Sequence, residues 1–520
     1  MAARVLFPRL VDGVLTGSLA AMTVVGVLAF GGAAWWVPPV LAGSALLAAT
    51  AWCARVVLDG RMTRLRSPLG LCGAALVALA VVQTAPLPGP IAELLSPRAR
   101  AVYTTGGLPE LVTRDDPDAA TPPAATVRSP ISLDRAATLR WAAGALVCLA
   151  LFTLVAQHTD RLGRLYWIWG GVVAACFVNT AVILVQLTAS TDGLYGLWAP
   201  GAGPAYAPSM LDAAAGATAL ELRPLPETRP GRAAWAAAIP ASRSELGSMP
   251  GGPAAFIALA TLACPLALAM MLQIASPRGS REPLAQRLRH ASLGGALVLL
   301  GGGACATAAL VGWLGGAVGA APMCLGVLVA GLPSAFGTGL RWFAVLTSLA
   351  IVGTPLASAC GRAAIAEAND PSWLGPRDEL AETLEVWRDS ARIARDFPVA
   401  GAGLGGFGAI HPYYKRRDSA WTTARGTLAR LAVEAGATGL AIVGVAGLWY
   451  LAKLPRALAR VGSADRALAF GLIGASLAFM LAAITQAPLD AIGVATACAA
   501  VAGTANRWLA GGTDLFVDRA

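Results

Sequence analysis

The chain consists largely of apolar runs that are long enough to cross a lipid bilayer. A helix needs about 20 apolar residues to span the hydrocarbon core, and twelve such runs occur in the 520 residues. This pattern predicts an all-α, polytopic integral membrane protein in which residues 1–520 form a single membrane domain. The Gly-rich segment Gly312–Gly316 divides the longest apolar stretch. The predicted spans are 14–33, 35–53, 67–86, 137–157, 165–188, 253–275, 292–312, 314–333, 342–360, 431–452, 467–486 and 488–506.

The few charged side chains predict the orientation of these spans. Only 13% of the residues are charged, against about a quarter in soluble proteins, which excludes a soluble enzyme. With the N-terminus inside, the predicted cytoplasmic segments contain 19 basic and seven acidic residues, and the rest contains 20 and 22. This asymmetry follows the positive-inside rule and predicts cytoplasmic N- and C-termini. The net charge of +10 therefore reflects topology, and we expect no nucleic-acid partner.

Three long polar loops are predicted on the outer side, at about 87–136, 189–252 and 361–430. Loops carry many binding and catalytic residues, and only these three are large enough to build a site. The first two are rich in Pro, Ala and Gly, which fits either extended spacers or part of a site. No predicted span carries a charge near its centre, which argues against ion-driven transport.

The first part of the 361–430 loop has the pattern of an amphipathic helix between Pro376 and Pro398. Its apolar stripe, with helical spacing, comprises Leu380, Leu384, Trp387, Ala391 and Ala394. A second stripe, about 100° around the helix, comprises Arg388, Arg392 and Arg395. Asp389 and Arg392 are spaced for an i, i+3 ion pair. This pattern fits a salt-bridged helix on the outer membrane surface, or an arginine face for a lipid-linked pyrophosphate, whose oxygens match guanidinium groups.

The second part of the same loop, residues 401–430, is strongly basic. Its only acidic residue is Asp418, and its basic residues are Lys415, Arg416, Arg417, Arg425 and Arg430. Because an outer loop is expected to carry few basic residues, this excess needs a reason. Either an anionic ligand or contact with lipid headgroups would supply one.

The glycines and the histidine of this loop need separate interpretations. Gly401, Gly403 and Gly406 match GxGxxG by letter, but a dinucleotide site requires a preceding strand, and here a helix is predicted. We expect these glycines to permit a tight backbone path after the helix. His411 is the only histidine predicted outside the membrane and is the candidate catalytic base, although a lone histidine is more often structural. With three histidines and no CxxC pair in the chain, we expect no metal and no cofactor.

Short motifs across the chain resemble the O-antigen ligase and polymerase family. In the last outer loop these are the segments 384–389 and 396–407 and the paired aromatics Tyr413 and Tyr414, and at the start of the next span the segment Glu434–Leu440. Further counterparts lie at 86–88, 95–97, 193–198 and 264–268. The resemblance covers most of the chain in hydropathy and order. It implies a GT-C-like fold of about twelve transmembrane helices, with a large, partly helical outer loop, in the bacterial inner membrane.

The same resemblance implies an activity. Members transfer a glycan from an undecaprenyl-pyrophosphate carrier to an acceptor hydroxyl on a glycan or lipid, in surface polysaccharide assembly and without a metal. A loop histidine acts as base and arginines bind the pyrophosphate; for an active member, His411 is the candidate catalytic residue here. The residues implied to bind the substrate are Arg388, Arg392, Lys415, Arg416, Arg417 and Arg425.

Some chemistry-bearing positions of the family pattern are not matched. Thr423 stands where the family's loop histidine is expected, and Thr383 stands where an arginine is expected. A catalytically inactive member, which binds a lipid-linked glycan or assembly partners, is therefore an alternative. A multi-span transporter is another, since the segment 159–164 resembles the DRxGR loop of twelve-span facilitators.

Overall fold

The computed structural model of the chain describes residues 2–28, 36–59, 67–105, 129–189, 252–275, 291–335, 341–368, 379–414, 426–462, 466–485, 489 and 491–510. This part of the chain forms fifteen helices and one isolated antiparallel bridge, between Leu87 and Ser129. The predicted all-α class is therefore confirmed for the described residues. In chain order the helices are α1 Ala2–Leu28, α2 Val37–Asp59, α3 Pro68–Thr84, α4 Gly89–Leu95, α5 Pro97–Thr105, α6 Arg135–His158, α7 Leu162–Ala189, α8 Gly252–Ala275, α9 Ala291–Ala335, α10 Arg341–Ala368, α11 Glu379–Asp396, α12 Phe407–Tyr414, α13 Thr427–Ala459, α14 Arg466–Thr485 and α15 Ile492–Leu509.

Within the described residues, eight helical segments are long and apolar enough to cross a membrane. They are Leu10–Leu28, Val37–Leu58, Arg135–His158, Leu162–Gln186, Ala254–Ala275, Gly295–Leu314, Thr427–Ala459 and Arg466–Ile484. Three shorter apolar segments accompany them, namely Pro68–Thr84, Gly319–Leu332 and Trp342–Ser358. The architecture is thus that of a polytopic membrane protein, with eight candidate spans where the sequence predicts twelve.

Helix α9 reverses direction along its length, because Ala304 contacts Cys264 of α8 while Gly326 lies against the next residue of α8, Pro265. A straight helix would place Ala304 and Gly326 about 33 Å apart. The reversal falls between these two residues, where the sequence predicts a split at Gly312–Gly316. Gly312 lies against α10, and a β-carbon on it would overlap with the Pro355 backbone. At the same contact, the Ser358 hydroxyl donates a hydrogen bond to the Ala309 carbonyl at 2.7 Å. Gly312 allows two helices to approach closely, as small residues do in membranes.

Helix α8 forms the centre of the helix bundle. Its candidate span, Ala254–Ala275, is buried along its whole length, and α8 packs against α7, α9, α14 and α15. Close backbone approach recurs beside it, because a β-carbon on Gly326 of α9 would lie 2.7 Å from the Gly474 carbonyl oxygen of α14. Small residues therefore set the spacing of these central helices.

At one end of the bundle, parts of the first and last predicted outer loops pack together. We call this region the loop unit; it comprises residues 85–105, 129–134, 379–414 and 426–436. The first loop is therefore folded in its described part and is not a spacer there. Residues 190–251 of the second loop lie outside the described residues. The apolar core of the loop unit consists of Ala99, Val102, Val386, Ile393, Phe397, Ala402, Phe407, Ile410 and Val433.

Helix α6 leads from the loop unit to an ion network at the opposite end of the bundle, formed by Asp12, Arg55, His158, Asp160 and Arg164. The Arg55 guanidinium lies 3.1 Å from an Asp12 oxygen and 3.4 Å from an Asp160 oxygen. Arg164 pairs with the same two carboxylates. Arg55 also donates to His158 Nδ1 at 2.8 Å, because arginine has no acceptor. The two arginines balance the two aspartates, which offsets the cost of their partial burial.

Candidate functional site

Helix α11 confirms the amphipathic helix predicted between Pro376 and Pro398. It runs from Glu379 to Asp396, and Pro398 follows shortly after its end; Pro376 lies outside the described residues. The predicted i, i+3 ion pair is present, since an Arg392 Nη atom lies 2.7 Å from Asp389 Oδ1. Local spacing was therefore sufficient to identify the helix and this contact.

The face of α11 that packs against the protein differs from the predicted apolar stripe. Val386, Ser390 and Ile393 are buried against the core of the loop unit, whereas Leu384 is 42% exposed and Ala391 is exposed. The two apolar faces lie roughly a third of a turn apart. Periodicity identifies both faces but cannot tell which one meets the rest of the chain.

A break in α13 joins this helix to the glycine-rich segment that follows α11. Gly436 has φ +61° and ψ −156°, which interrupts the helix. Two carbonyls at 433–434 and two amides at 437–438 are thereby freed from i→i−4 pairing, and each bonds to segment 398–403 instead. The four bonds are Ala402 N to Val433 O at 2.9 Å, Gly403 N to Glu434 O at 3.0 Å, Ala437 N to Pro398 O at 2.8 Å and Thr438 N to Val399 O at 3.1 Å.

The glycines of this segment form the tight backbone path that the sequence predicts. Gly401 and Gly403 have φ values of 72° and 114°, in the left-handed region that favours glycine. The third positive φ, 81°, belongs to Gly405 and not to Gly406 of the letter motif. A β-carbon on Gly403 would lie 2.8 Å from Ser132 Cβ. The glycines therefore serve close packing between the two outer loops.

Gln83, which the sequence did not single out, ties three segments of the loop unit together. Its side chain is buried; it donates to Ala400 O at 2.6 Å and to Glu434 O at 2.9 Å. It also accepts from Leu404 N at 3.0 Å. The backbone carbonyl of Gln83 accepts from the backbone amides of residues 131 and 132. The sequence signal for this role was a polar amide side chain near the end of an apolar run. Its partners could not be predicted, because they are distant in sequence.

Glu434, in the segment that resembles the family motif, is a buried carboxylate with two partners. It accepts from the Phe407 amide at 3.0 Å, at the first residue of α12. It also accepts from Arg430 Nε at 2.8 Å. A negative charge at a helix N-terminus is stabilised by the unpaired amides and the helix dipole. Glu434 therefore fixes the start of the helix that carries His411.

His411 lies inside the loop unit, beside the acidic residue of α11. Its side chain has no exposed surface, and its ring stacks on Phe407 with centroids 4.9 Å apart. His411 Nε2 lies 3.8 Å from Asp389 Oδ2, which is beyond hydrogen-bond distance. The other oxygen of that carboxylate bonds Arg392. The Asp389 carboxylate thus lies between His411 and Arg392, and we call these three residues the row.

The other predicted substrate-binding residues are not part of this row. Arg388 is exposed on the outer surface of α11, one turn before Arg392. Four predicted ligands lie outside the described residues, and they are Lys415, Arg416, Arg417 and Arg425. The segment that contains these four starts after Tyr414 and ends before Gly426, and both of these residues are in the loop unit.

Two tyrosines each form a hydrogen bond within their own outer loop, and one arginine of the first loop approaches the last. Tyr414 Oη donates to Asp396 at 2.5 Å, and Arg98 of α5 lies 3.9 Å from the same carboxylate. Burial, together with the bond to Asp396, raises the pKa of Tyr414 above its ordinary value. Tyr103 Oη donates to Ser132 O at 2.6 Å, and burial raises the pKa of Tyr103 to about 12. Both phenols are therefore neutral donors that stabilise the fold of their own loop.

The arrangement offers one imidazole with a nearby carboxylate, and guanidinium groups on the adjoining helix surface. Among the described residues, no group of three or more His, Cys, Asp or Glu side chains is placed to hold a metal ion. A base and cations suit transfer of a group from a phosphate leaving group to a hydroxyl.

Comparison with known proteins gives this chain no relative: no family model matches it, and no curated protein matches it.

Proposed function

We propose that the protein is a divergent O-antigen ligase- or polymerase-like glycosyltransferase with a GT-C-like fold and twelve membrane spans. It lies in the bacterial inner membrane with both termini in the cytoplasm. It transfers a glycan from an undecaprenyl-pyrophosphate carrier to an acceptor hydroxyl of a glycan or lipid, and it needs no metal.

The observation that carries this proposal is the meeting of the family-like segments in one place. Three of these segments, 384–407, 413–414 and 434–440, lie in or next to the last outer loop. Residues of 384–407 and of 413–414 belong to the core of the loop unit or pack against it, and the bonds from segment 398–403 to α13 join 384–407 to 434–440. The resemblance therefore falls on residues that contact one another, which supports it.

In this proposal His411 is the base that takes the proton of the acceptor hydroxyl. Asp389, 3.8 Å away, stabilises the positive charge of the imidazolium that forms when His411 takes the proton. Arg388, Arg392, Lys415, Arg416, Arg417 and Arg425 bind the pyrophosphate. Their positive charge stabilises the negative charge that develops on the leaving group.

The burial of His411 favours a second candidate function. A general base must come within hydrogen-bond reach of the hydroxyl that it deprotonates, and the His411 side chain has no exposed surface. A non-catalytic member would use the same histidine as a packing residue against Phe407. Such a protein would bind a lipid-linked glycan and present it to partner enzymes.

The test is a transfer assay with the purified full chain in proteoliposomes. The donor is an undecaprenyl-pyrophosphate-linked oligosaccharide, and the acceptor is a lipid or glycan with a free hydroxyl. We expect transfer by the wild type and a loss of at least about 100-fold in turnover for His411→Gln, the usual scale for a general base. The matched control is His158→Gln, an equally buried histidine at the other end of the bundle, which should keep its turnover per folded molecule.

Each outcome of this assay decides between the candidates. Transfer that survives His411→Gln would remove the proposed base but retain the glycosyltransferase. Absence of transfer by the wild type, with retained binding of the labelled donor, would establish the non-catalytic function. If neither transfer nor donor binding is found, both candidates are wrong.

A further inference from the structure

A basic cavity lies at the end of the bundle opposite to the loop unit. It has a volume of about 250 Å³ and opens between the start of α3 and the ends of α13 and α15. Drug-sized ligands occupy pockets of about 300–1,000 Å³, so this cavity suits a small headgroup. Its lining consists of Pro68, Trp449, Lys453, Arg456, Arg460, Leu509 and Ala510.

Three cations of this lining come from one face of α13. Lys453, Arg456 and Arg460 follow one another with the three- and four-residue spacing of a helix face. Within the described part of the chain, none of them forms an ion pair, whereas Arg55 and Arg164 at the same end are each paired with two aspartates. The C-terminal dipole of α13 favours basic residues, but its effect does not neutralise three full charges. The cavity therefore presents an uncompensated positive field.

The apolar surroundings of the cavity indicate where its ligand comes from. Trp449 lines the cavity one turn before Lys453, and tryptophan is enriched where membrane proteins meet lipid headgroups. On the same stretch of α13, Leu448 and Leu451 are exposed. A ligand held by the cations can thus extend an apolar tail along the outside of the helix.

We propose that this cavity binds the headgroup of an anionic phospholipid. The phosphodiester lies between Lys453, Arg456 and Arg460, because guanidinium and ammonium groups match phosphate oxygens. The glycerol portion contacts Trp449, and the acyl chains follow Leu448 and Leu451. The site is separate from the loop unit and does not depend on the proposed glycan transfer.

Binding of phosphatidylglycerol to the full chain in detergent tests this proposal, with native mass spectrometry as the readout and the zwitterionic phosphatidylcholine, which has no net charge, as the comparison. We expect Arg456→Gln with Arg460→Gln to weaken phosphatidylglycerol binding by about thirtyfold, at the usual contribution of each basic residue near a lipid surface. Arg456→Lys with Arg460→Lys, which keeps the charge, should retain most of the affinity.

The matched control neutralises two exposed arginines at the same end, Arg161→Gln with Arg466→Gln, and should leave the affinity nearly unchanged. An equal loss in this control would overturn the proposal, because binding would then follow net charge alone. So would equal binding of phosphatidylcholine. Soluble glycerol phosphate is the last arm: if it displaces phosphatidylglycerol at similar concentration, the ligand is a free phosphate compound and the lipid assignment is wrong. Circular dichroism of each variant confirms that it is folded.

Discussion

The two ends of the helix bundle hold their polar groups in different ways. The loop unit is built from backbone groups that meet around Gln83, Glu434 and positive-φ glycines, so its geometry depends on exact shape. The ion network depends on charged side chains whose signs balance. Shape cannot be restored by a second substitution, whereas charge balance can. A single substitution in the loop unit should therefore lower the stability of the protein in a way that no second substitution restores. In the ion network, a second substitution that restores charge balance should recover part of the lost stability.

The largest effect is expected from Gly436→Ala in the loop unit. The φ and ψ of Gly436 are accessible essentially only to glycine, and a β-carbon there would lie 2.6 Å from the Val399 carbonyl oxygen. We expect a loss of about 3 kcal/mol or more in the free energy of unfolding, measured by chemical denaturation in detergent. The control is Gly444→Ala in the same helix, where a β-carbon meets no atom within 4 Å. Equal stability of the two variants would contradict the role of the helix break.

The next largest effect is expected in the ion network, where the prediction tests whether charge balance sets the stability. Arg164→Gln leaves two carboxylates with Arg55 alone, and we expect a loss of about 2–3 kcal/mol in the free energy of unfolding. The double variant Arg164→Gln with Asp160→Asn restores the balance and should be more stable than Arg164→Gln alone. If the double variant is instead less stable than Arg164→Gln, the network depends on shape like the loop unit, and the comparison fails.

A smaller effect is expected for Gln83→Leu, which keeps the size of the side chain but removes three hydrogen bonds. We expect a loss of about 2 kcal/mol, because the Glu434 carbonyl keeps its bond from the Gly403 amide, whereas the Ala400 carbonyl and the Leu404 amide each lose a buried bond worth on the order of 1 kcal/mol. Hydrogen exchange should accelerate at the Leu404 amide, which donates to this side chain. Unchanged exchange at 404 would show that another group can take over this contact.

The smallest effect is expected for Tyr414→Phe, which removes the bond to Asp396 and should cost about 1 kcal/mol at neutral pH. Because the pKa of Tyr414 is raised in the folded protein, the unfolded chain loses this proton first as the pH rises. The wild type therefore loses stability above the ordinary tyrosine pKa of about 10. Tyr414→Phe lacks this loss, so the difference between the two unfolding curves should narrow from about pH 10 upward. A constant difference would show that the pKa of Tyr414 is not raised in the folded protein.

Interactions over a few residues were predictable, and contacts between distant segments were not. The helix between Pro376 and Pro398, the Asp389–Arg392 pair and the tight path at Gly401 and Gly403 all follow from local spacing. The packed face of α11 did not, since two apolar faces compete and only the core of the loop unit selects one. Gln83 was missed for the same reason. Its three partners lie more than 300 positions away in the sequence.

By itself, the sequence determined the membrane class of this protein, its helical content and the amphipathic helix of the last outer loop. The length of an apolar run and the spacing of residues on a helix are local properties, so they can be read from consecutive residues of the sequence. Only the tertiary structure decided that His411 is buried beside Asp389, that the first outer loop is part of the same unit, and that α13 breaks to bind segment 398–403. It also decided that Lys453, Arg456 and Arg460 line a cavity away from that unit. These features depend on which surfaces meet, and packing between distant helices sets that.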